Sequence, residues 1–326
     1  MRNVSEDREN QNEGYDRRDF LKCMAWAGTG LAFAMSGGIL SSCKMEDAAP
    51  KGVLSFIQIS DTHIGFNKPP NPNVTETLQA AVDKINALAQ PPPFLIHTGD
   101  LTHLSKPEEF DTLAQILKGV KTDQIFYCPG EHDFFVDQGK QFLERFGKGT
   151  KGSGWQSFDV KGTHYIGLNN VVAASAGPTP GSFANGGVEG LGSLGREQLE
   201  WLEKDVAGLT GSTPIVVFTH VPLWAVYPQW GWGTEDSAQA LSYLKKFGSV
   251  TVLNGHIHQV VQKIEGNITF HTARSTAYPQ PVAGTAPAPG PIKDLPPEHL
   301  GESIGITQMR YVEKDSSLAI IDTALA

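Results

Sequence analysis

The feature that most constrains this chain is an alternation, beginning at residue 53, of short apolar runs with stretches of helical periodicity. Val53–Ser60, Phe94–Thr98 and Gln124–Cys128 are typical of buried strands. Segments 74–89 and 105–118 between them have the apolar spacing of amphipathic helices. Strands that are separated by helices through short connections predict parallel βαβ units, in which ligands bind beyond the carboxyl ends of the strands.

The later part of the chain continues this pattern with more strands and with two long loops. Further strands are predicted near residues 155–160, 163–168, 214–219, 250–253, 259–264, 267–271, 304–311 and 318–321, and further helices near 138–146, 196–207 and 236–247. A Gly-rich loop covers about 172–195, and a Pro-rich stretch covers 278–297. Ser105 and Glu108 have the spacing of a capping box, which predicts where the second helix begins.

Polar residues follow these strands directly, and they are of the types that bind metal ions. The candidate ligands are Asp61, His63, Asp100, Glu131, His220, His256 and His258. Carboxylate oxygens together with imidazoles suit zinc, manganese or iron better than magnesium or calcium, and the lack of ligating cysteines argues against a structural zinc site. Asp100 is isolated after a glycine, and it can offer one oxygen to each of two cations. The sequence therefore predicts a metal site at one edge of the sheet.

In their order along the chain, the motifs D-x-H, G-D, G-x-H-D, H and G-H-x-H resemble the calcineurin-like metallophosphoesterase family. Within that family the sequence is similar to exported bacterial members related to class III cyclic-nucleotide phosphodiesterases, over about residues 54–258. The resemblance implies an α/β (α+β) fold for residues 53–326, a four-layer sandwich of two mixed β-sheets flanked by helices. It also implies a pair of divalent or trivalent metal ions.

The resemblance further implies a role for each candidate residue. Asp61, His63, Asp100 and His258 would hold the first metal, and Asp100, Glu131, His220 and His256 would hold the second. A hydroxide bridging the two metals would attack a phosphomonoester or phosphodiester, with a cyclic nucleotide as the favoured substrate. His132 would be the general acid, and Asp133 would be the carboxylate beside it that orients its ring. Alternatively, His132 serves only to bind phosphate or to shape the turn.

Glu131 departs from the family pattern, which normally has Asn at this position. If the glutamate coordinates the second metal, it adds a third carboxylate, holds the metal more firmly and polarises phosphate less. If it turns away, the second metal is weakly bound. An alternative function is therefore a surface-tethered binding protein on the same scaffold, with catalysis reduced by this replacement.

The charge pattern bears on the partners of the protein. The formal net charge is −9, and no stripe of lysines and arginines is present, so a nucleic-acid groove is not expected. A small phosphate ester is the expected partner. The aromatic segment 223–232, which follows His220, either lines a substrate pocket or only packs a loop, and His103 either contacts phosphate or supports the metal ligands.

Residues 1–43 resemble an export signal of the twin-arginine type. Arg17 and Arg18 are followed, after Asp19, by Phe20-Leu21-Lys22. A weakly apolar run then continues to Leu40, and it is less apolar than a membrane span requires. Leu40-Ser41-Ser42-Cys43 resembles a lipobox, so either Cys43 receives a lipid or a signal peptidase simply removes the segment. Residues 44–52 would be a linker. The expected location is the periplasm or the cell surface, with a possible membrane tether through lipidated Cys43.

Overall fold

Strands in the described part of the chain form two mixed sheets. The computed structural model describes residues 54–134, 136–171, 191–312 and 317–326, which belong to one compact unit. The predicted signal (1–43), the linker (44–52) and most of the Gly-rich loop lie outside the described residues. Among the residues that are described, no helix has the length and apolar character needed to cross a membrane.

The first sheet has five strands in the order β11-β10-β1-β2-β3. Its strands are β1 (Leu54–Ile59), β2 (Phe94–Thr98), β3 (Gln124–Cys128), β10 (Gly305–Val312) and β11 (Ser317–Ala324). The strands β1, β2 and β3 are parallel, whereas β10 pairs antiparallel with both β1 and β11. The helices α1 (Val74–Asn86), α2 (Pro107–Leu117) and α3 (Lys140–Phe146) lie between or after the parallel strands. This confirms the predicted parallel βαβ units.

The second sheet has six strands in the order β4-β5-β6-β7-β9-β8. Its strands are β4 (Gln156–Val160), β5 (Thr163–Gly167), β6 (Ile215–Phe218), β7 (Val250–Asn254), β8 (Val261–Glu265) and β9 (Ile268–Thr272). The four central strands are parallel, and the edge strands β4 and β8 pair antiparallel with β5 and β9. The remaining helices are α4 (Gly195–Ala207), α5 (Ser237–Leu244) and α6 (Leu300–Ser303).

Three apolar clusters hold these elements together, and each corresponds to one interface between layers. One cluster joins residues from both sheets, including Phe56 and Phe94 of the first sheet and Tyr165 and Phe218 of the second. A second cluster lies between the first sheet and the helices α1, α2 and α3, and a third lies between the second sheet and α4 and α5. The order helix, sheet, sheet, helix confirms the four-layer sandwich.

The capping box predicted from Ser105 and Glu108 is wrong, because the structure places it one residue later, at Lys106 and Glu109. The helix α2 begins at Pro107, and the carboxylate that accepts bonds from the preceding backbone is Glu109, which takes the N–H of Leu104 at 2.8 Å. The Ser105 hydroxyl instead donates to the carbonyl of His132 at 2.5 Å. Ser105 therefore joins the loops after β2 and β3, which both carry candidate site residues.

A buried histidine joins β4, β5 and α4 through two ion pairs. His164 Nδ1 lies 2.9 Å from Asp159 Oδ1, and Nε2 lies 2.9 Å from Asp205 Oδ2. Burial lowers the pKa of His164, but the hydrogen bonds and charges of Asp205 and Asp159 outweigh it and raise the pKa above the usual 6.5. The protonated ring therefore stabilises the folded state fully below pH 6.5, and this contribution is lost as the pH rises through the folded pKa.

The His164→Gln variant should therefore lose more stability in mild acid than in base. We expect the difference in free energy of unfolding between the parent and His164→Gln to be larger at about pH 6 than at about pH 9, measured by urea unfolding. The exposed His299 provides the control, because His299→Gln should change the free energy of unfolding little at either pH. An equal loss for His164→Gln at both pH values would contradict this account.

Candidate metal centre

The loops that follow five parallel strands bring all seven candidate ligands together. Asp61 and His63 follow β1, Asp100 follows β2, Glu131 follows β3, His220 follows β6, and His256 and His258 follow β7. None of these side chains belongs to a residue more than 6 % exposed. The carboxyl ends of both sheets therefore contribute to a single buried site, at the edge where parallel sheets bind their ligands.

Four of these side chains form a first cluster. The potential ligand atoms of Asp61, His63, Asp100 and His258 all lie within 4.8 Å of one another. His258 Nε2 lies 3.2 Å from Asp61 Oδ1, and His63 Nε2 lies 3.4 Å from Asp100 Oδ2. This is the set that the sequence assigned to a first metal.

A second cluster consists of Glu131, His220 and His256, whose potential ligand atoms also lie within 4.8 Å of one another. Glu131 Oε2 lies 2.9 Å from His220 Nε2, and Glu131 Oε1 lies 3.0 Å from His256 Nδ1. Of the two orientations considered for Glu131, the structure shows the one in which its carboxylate points into the site.

Asp100 belongs to the first cluster and also faces the second. Its Oδ2 atom lies 3.4 Å from His63 Nε2 and 3.3 Å from His220 Nε2, so one oxygen faces both clusters. The other oxygen, Oδ1, accepts the backbone N–H of His132 at 3.0 Å. The Oδ2 atom is thus the oxygen that faces both clusters, and the expectation of one oxygen for each cation stays a prediction.

Hydrogen bonds on the outer side of the rings determine which nitrogen faces the site. His220 Nδ1 donates to the carbonyl of Thr98 at 2.7 Å, and His258 Nδ1 donates to the carbonyl of Tyr278 at 2.6 Å. Because a carbonyl only accepts, each Nδ1 carries a proton, and Nε2 is the nitrogen that faces the site. Each ring is therefore oriented so that Nε2 is the atom available to a metal.

The backbone at the site is unusual, since five of the seven candidate ligands have positive φ. These residues are Asp61 (54°), His63 (41°), Asp100 (52°), His256 (70°) and His258 (52°). L-residues rarely adopt this left-handed conformation, which costs on the order of 1 kcal/mol or more per residue and tends to cluster at functional sites. The local strain marks this edge of the sheets as the functional one.

Two glycines permit the close packing of the ligand loops. A side-chain carbon at Gly255 would lie 2.0 Å from Ser60 Oγ and 2.6 Å from Asp61 Oδ2. A side-chain carbon at Gly130 would lie 2.0 Å from Asp100 Oδ1. Any larger residue at either position would displace a candidate metal ligand.

The predicted role of Asp133 as the partner of the His132 ring is wrong. The Asp133 carboxylate accepts the N–H groups of Leu101 (3.0 Å), Thr102 (2.8 Å) and Gly130 (2.9 Å), and it does not line the cavity. Burial raises its pKa to about 6 against the effect of those bonds. Asp133 therefore holds the loops after β2 and β3 together. This contact between loops explains why an aspartate follows His132 in the sequence.

His132 is oriented by a backbone group instead. Its Nδ1 donates to the carbonyl of His103 at 2.7 Å, and its ring stacks on the His103 ring with centroids 5.0 Å apart. Burial lowers the pKa of His132, and the charge of Glu131 opposes this shift. His103 Nδ1 lies 3.5 Å from Nδ1 of the candidate ligand His63, and His103 also lines the cavity, so its predicted contact with phosphate stays a prediction.

Burial and mutual repulsion shift the pKa values of the carboxylates. Burial, and next the charge of Glu131, raise the pKa of Asp100 well above its usual range. Burial also raises the pKa of Glu131, but the His256 and His220 imidazoles outweigh it and hold the pKa well below its usual range. The cluster thus concentrates negative charge that needs positive charge close by.

A cavity of about 280 Å³ opens onto the two clusters. Besides ligands and the two histidines 103 and 132, its lining consists of Trp230, Trp232, Tyr278, Gln280, Pro289, Gly290 and Pro291. The aromatic segment 223–232 was singled out in the sequence, and two of its residues do line the cavity. The residues from 278 onwards were missed, because only their proline content distinguishes them in the sequence. Among the described residues that line the cavity there is no lysine or arginine.

The chain resembles several known phosphoesterases. It is 23 % identical over 231 residues to a 3′,5′-cyclic-nucleotide phosphodiesterase of Nostoc sp., a match that covers 69 % of this chain and 79 % of that protein. It is 26 % identical over 192 residues to the serine/threonine-protein phosphatase CPPED1 of Mus musculus, which covers 53 % of this chain and 57 % of that protein.

Solved structures show the same fold at low identity. A purple acid phosphatase from yellow lupin (Lupinus luteus) matches with a TM-score of 0.56 and 15 % identity, covering 84 % of this chain and 52 % of that one. GAP50, the anchor in the inner membrane complex of Plasmodium, matches with a TM-score of 0.56 and 13 % identity, covering 84 % of this chain and 85 % of that one. The calcineurin-like phosphoesterase family model matches residues 54–260. The chain therefore belongs to the calcineurin-like phosphoesterase family of metal-dependent phosphoric ester hydrolases.

Proposed function

We propose that this protein hydrolyses phosphate esters with a pair of metal ions held by the seven clustered side chains. Asp61, His63, Asp100 and His258 would hold the first ion, and Asp100 with Glu131, His220 and His256 would hold the second. The observation that carries this proposal is the position of Asp100 Oδ2, 3.4 Å from His63 Nε2 and 3.3 Å from His220 Nε2. A carboxylate oxygen that faces two ligand clusters is placed to bind two adjacent cations.

The residues present fit such a pair. Three carboxylates and four imidazoles are a donor set for manganese, zinc or iron. In the described part of the chain, the buried atoms His220 Nε2 and Glu131 Oε2 form no hydrogen bond of regular geometry, although they are 2.9 Å apart. When bound, the two ions would activate water and neutralise the phosphoryl charge.

His132 is proposed as the general acid. The bond from Nδ1 to the His103 carbonyl fixes the ring beside the cavity, so a proton passed to the departing alkoxide comes from Nε2. Asp133 is proposed only as a positioning residue, because its carboxylate holds the backbone of residues 101, 102 and 130.

The proposed substrates are phosphomonoesters or phosphodiesters, and a cyclic nucleotide is the favoured one. The Nostoc relative is named a 3′,5′-cyclic-nucleotide phosphodiesterase, and this similarity supports the choice. The alternative is a binding protein in which Glu131 has weakened catalysis, and the anchoring role named for the Plasmodium neighbour illustrates such a use of the fold.

We also propose that the protein is exported and tethered through Cys43. The support is the sequence of residues 1–43 alone, which lies outside the described residues. Mass spectrometry of the mature N-terminus would test this: a lipidated Cys43 supports the tether, an unmodified N-terminus after processing contradicts the tether, and an unprocessed chain contradicts export.

The Asp100→Asn variant should lose hydrolysis, because its side chain would offer one carbonyl oxygen without charge where two cations need a shared carboxylate. We expect turnover of an activated aryl phosphodiester or monoester with Mn, Zn or Fe to fall by roughly a thousandfold. The exposed Asp83 provides a matched control, and Asp83→Asn should keep full activity. If the parent protein shows no metal-dependent turnover, the result contradicts the enzyme proposal and favours the binding protein.

Replacing Glu131 by Asn should weaken the second metal specifically. Removing one of three carboxylates should lower the affinity of that ion by roughly tenfold or more, measured by competition with a chelator. The exposed Glu144 serves as control, and Glu144→Asn should leave both affinities unchanged. Equal affinities in the parent and Glu131→Asn would show that Glu131 is not a ligand.

The Gly255→Ala variant should reduce bound metal, because the added methyl group would displace Asp61 and Ser60. We expect elemental analysis of this variant to show loss of metal from the first site. Gly208 has open space around it and an ordinary helical φ of −83°, so Gly208→Ala should retain metal and fold normally. Full metal content in Gly255→Ala would contradict the proposed arrangement.

A further inference from the structure

The cavity over the metal centre has two chemically different halves. One half consists of the carboxylates and imidazoles described above. The other half consists of Trp230, Trp232, Tyr278, Gln280, Pro289 and Pro291, which are mostly flat and uncharged. None of these residues is a candidate metal ligand, so the composition of this second half needs a separate explanation.

The first wall of this half is a rigid aromatic platform. Tyr227 pairs with Trp232 across a short turn, Pro228–Trp230, which closes at Gly231 with a φ of 74°. The Trp230 ring lies edge-on to Trp232 with centroids 5.0 Å apart, and it lies edge-on to Tyr227 at 5.3 Å. Trp232 is buried and Trp230 is half-buried. A surface fixed in this way loses little entropy when a ligand binds to it.

The second wall, residues 278–291, is fastened to the metal centre itself. The Tyr278 ring stacks on the candidate ligand His63 with centroids 5.0 Å apart. Gln280 Nε2 donates to the carbonyl of His256 at 2.9 Å, and Gln280 Oε1 accepts the N–H of Gly290 at 3.0 Å. The Gln280 side chain therefore links a candidate metal ligand to the far end of this wall.

The two walls meet away from the metals. The Tyr227 hydroxyl lies 3.3 Å from the position that a side-chain carbon at Gly284 would occupy, and Gly284 has a φ of 75°. Gln259 also donates to the carbonyls of Gln280 (3.0 Å) and Pro281 (2.7 Å), which holds the start of the second wall. The two walls thus bound a slot, which is the part of the cavity lined by Trp230, Trp232, Tyr278, Gln280, Pro289 and Pro291.

We propose that this slot is a subsite for one flat, uncharged ring of the phosphate ester, either a nucleobase or an aryl group. The proposal rests on the proposed function and adds a substrate class to it. Indoles and prolines stack on such a ring, and every base or aryl group offers a face for stacking. No lysine or arginine is among the described lining residues, so none of them carries a cationic side chain that could neutralise a second phosphate. Gln280 is a positioning residue that ties the second wall to the carbonyl of His256.

Two pairs of probes test the subsite by calorimetry on the metal-loaded protein. Phenylphosphonate and methylphosphonate share their anionic head and differ in the ring. The phosphonate analogues of AMP and of ribose 5-phosphate, whose P–C bond is not an ester and is not hydrolysed, share their head group and differ in the base. We expect the ring-bearing member of at least one pair to bind about fivefold or more tightly than its partner. A preference within the first pair indicates an aryl group close to phosphorus, and a preference within the second indicates a nucleobase.

The variants Trp230→Leu and Gln280→Leu should bring the ratio of the two affinities close to one, and Trp230→Leu should leave methylphosphonate binding unchanged. Trp201 lies on α4 and is not among the lining residues, so Trp201→Leu controls for the loss of an indole. Equal binding within both pairs, or a preference that survives Trp230→Leu, would overturn the subsite while leaving the phosphoesterase function intact. No binding of any probe, together with no turnover, would instead contradict the proposed function.

Discussion

Three buried carboxylates packed among four imidazoles are the constraint on which the rest of this structure depends. Asp61, Asp100 and Glu131 are 0 %, 2 % and 4 % exposed. Charges taken out of water at such short separations are stable only if opposite charge lies beside them. The raised pKa of Asp100, due to burial and to Glu131, reflects that repulsion. A pair of divalent cations would more than neutralise the three carboxylates. Protonation would also remove their charge, but the protonated carboxyl groups would no longer bind metal.

The scaffold holds these groups in a conformation that they would not adopt alone. Five ligands lie in left-handed backbone conformations, so the surrounding bonds must specify the geometry. The Ser275 hydroxyl donates to the carbonyl of Asp61 at 2.7 Å, and the N–H of His256 donates to the Asp61 carboxylate at 3.1 Å. The apolar cluster between the sheets fixes the strands from which these loops extend. Burial of that core offsets the local strain.

Much of this arrangement was predictable from the sequence, and the exceptions have physical reasons. The strands β2 and β3 were predicted to the residue, because β2 is buried on both faces and proline or polar turns bound each run. The convergence of the ligands followed from parallel strands. The roles of Asp133 and Ser105 could not be predicted, because their hydrogen-bond partners include residues of another loop. The wall from Tyr278 to Pro291 was missed because no spacing in the sequence relates it to the ligands.

The central claim is that two metal ions share Asp100 and that Glu131 holds the second. A crystal structure of the metal-loaded protein with bound phosphate, with anomalous data collected at the metal absorption edges, tests it most directly. The account predicts two anomalous peaks on either side of Asp100 Oδ2, with the Glu131 carboxylate in contact with the second. A single peak, or a second peak from which Glu131 points away, would contradict it.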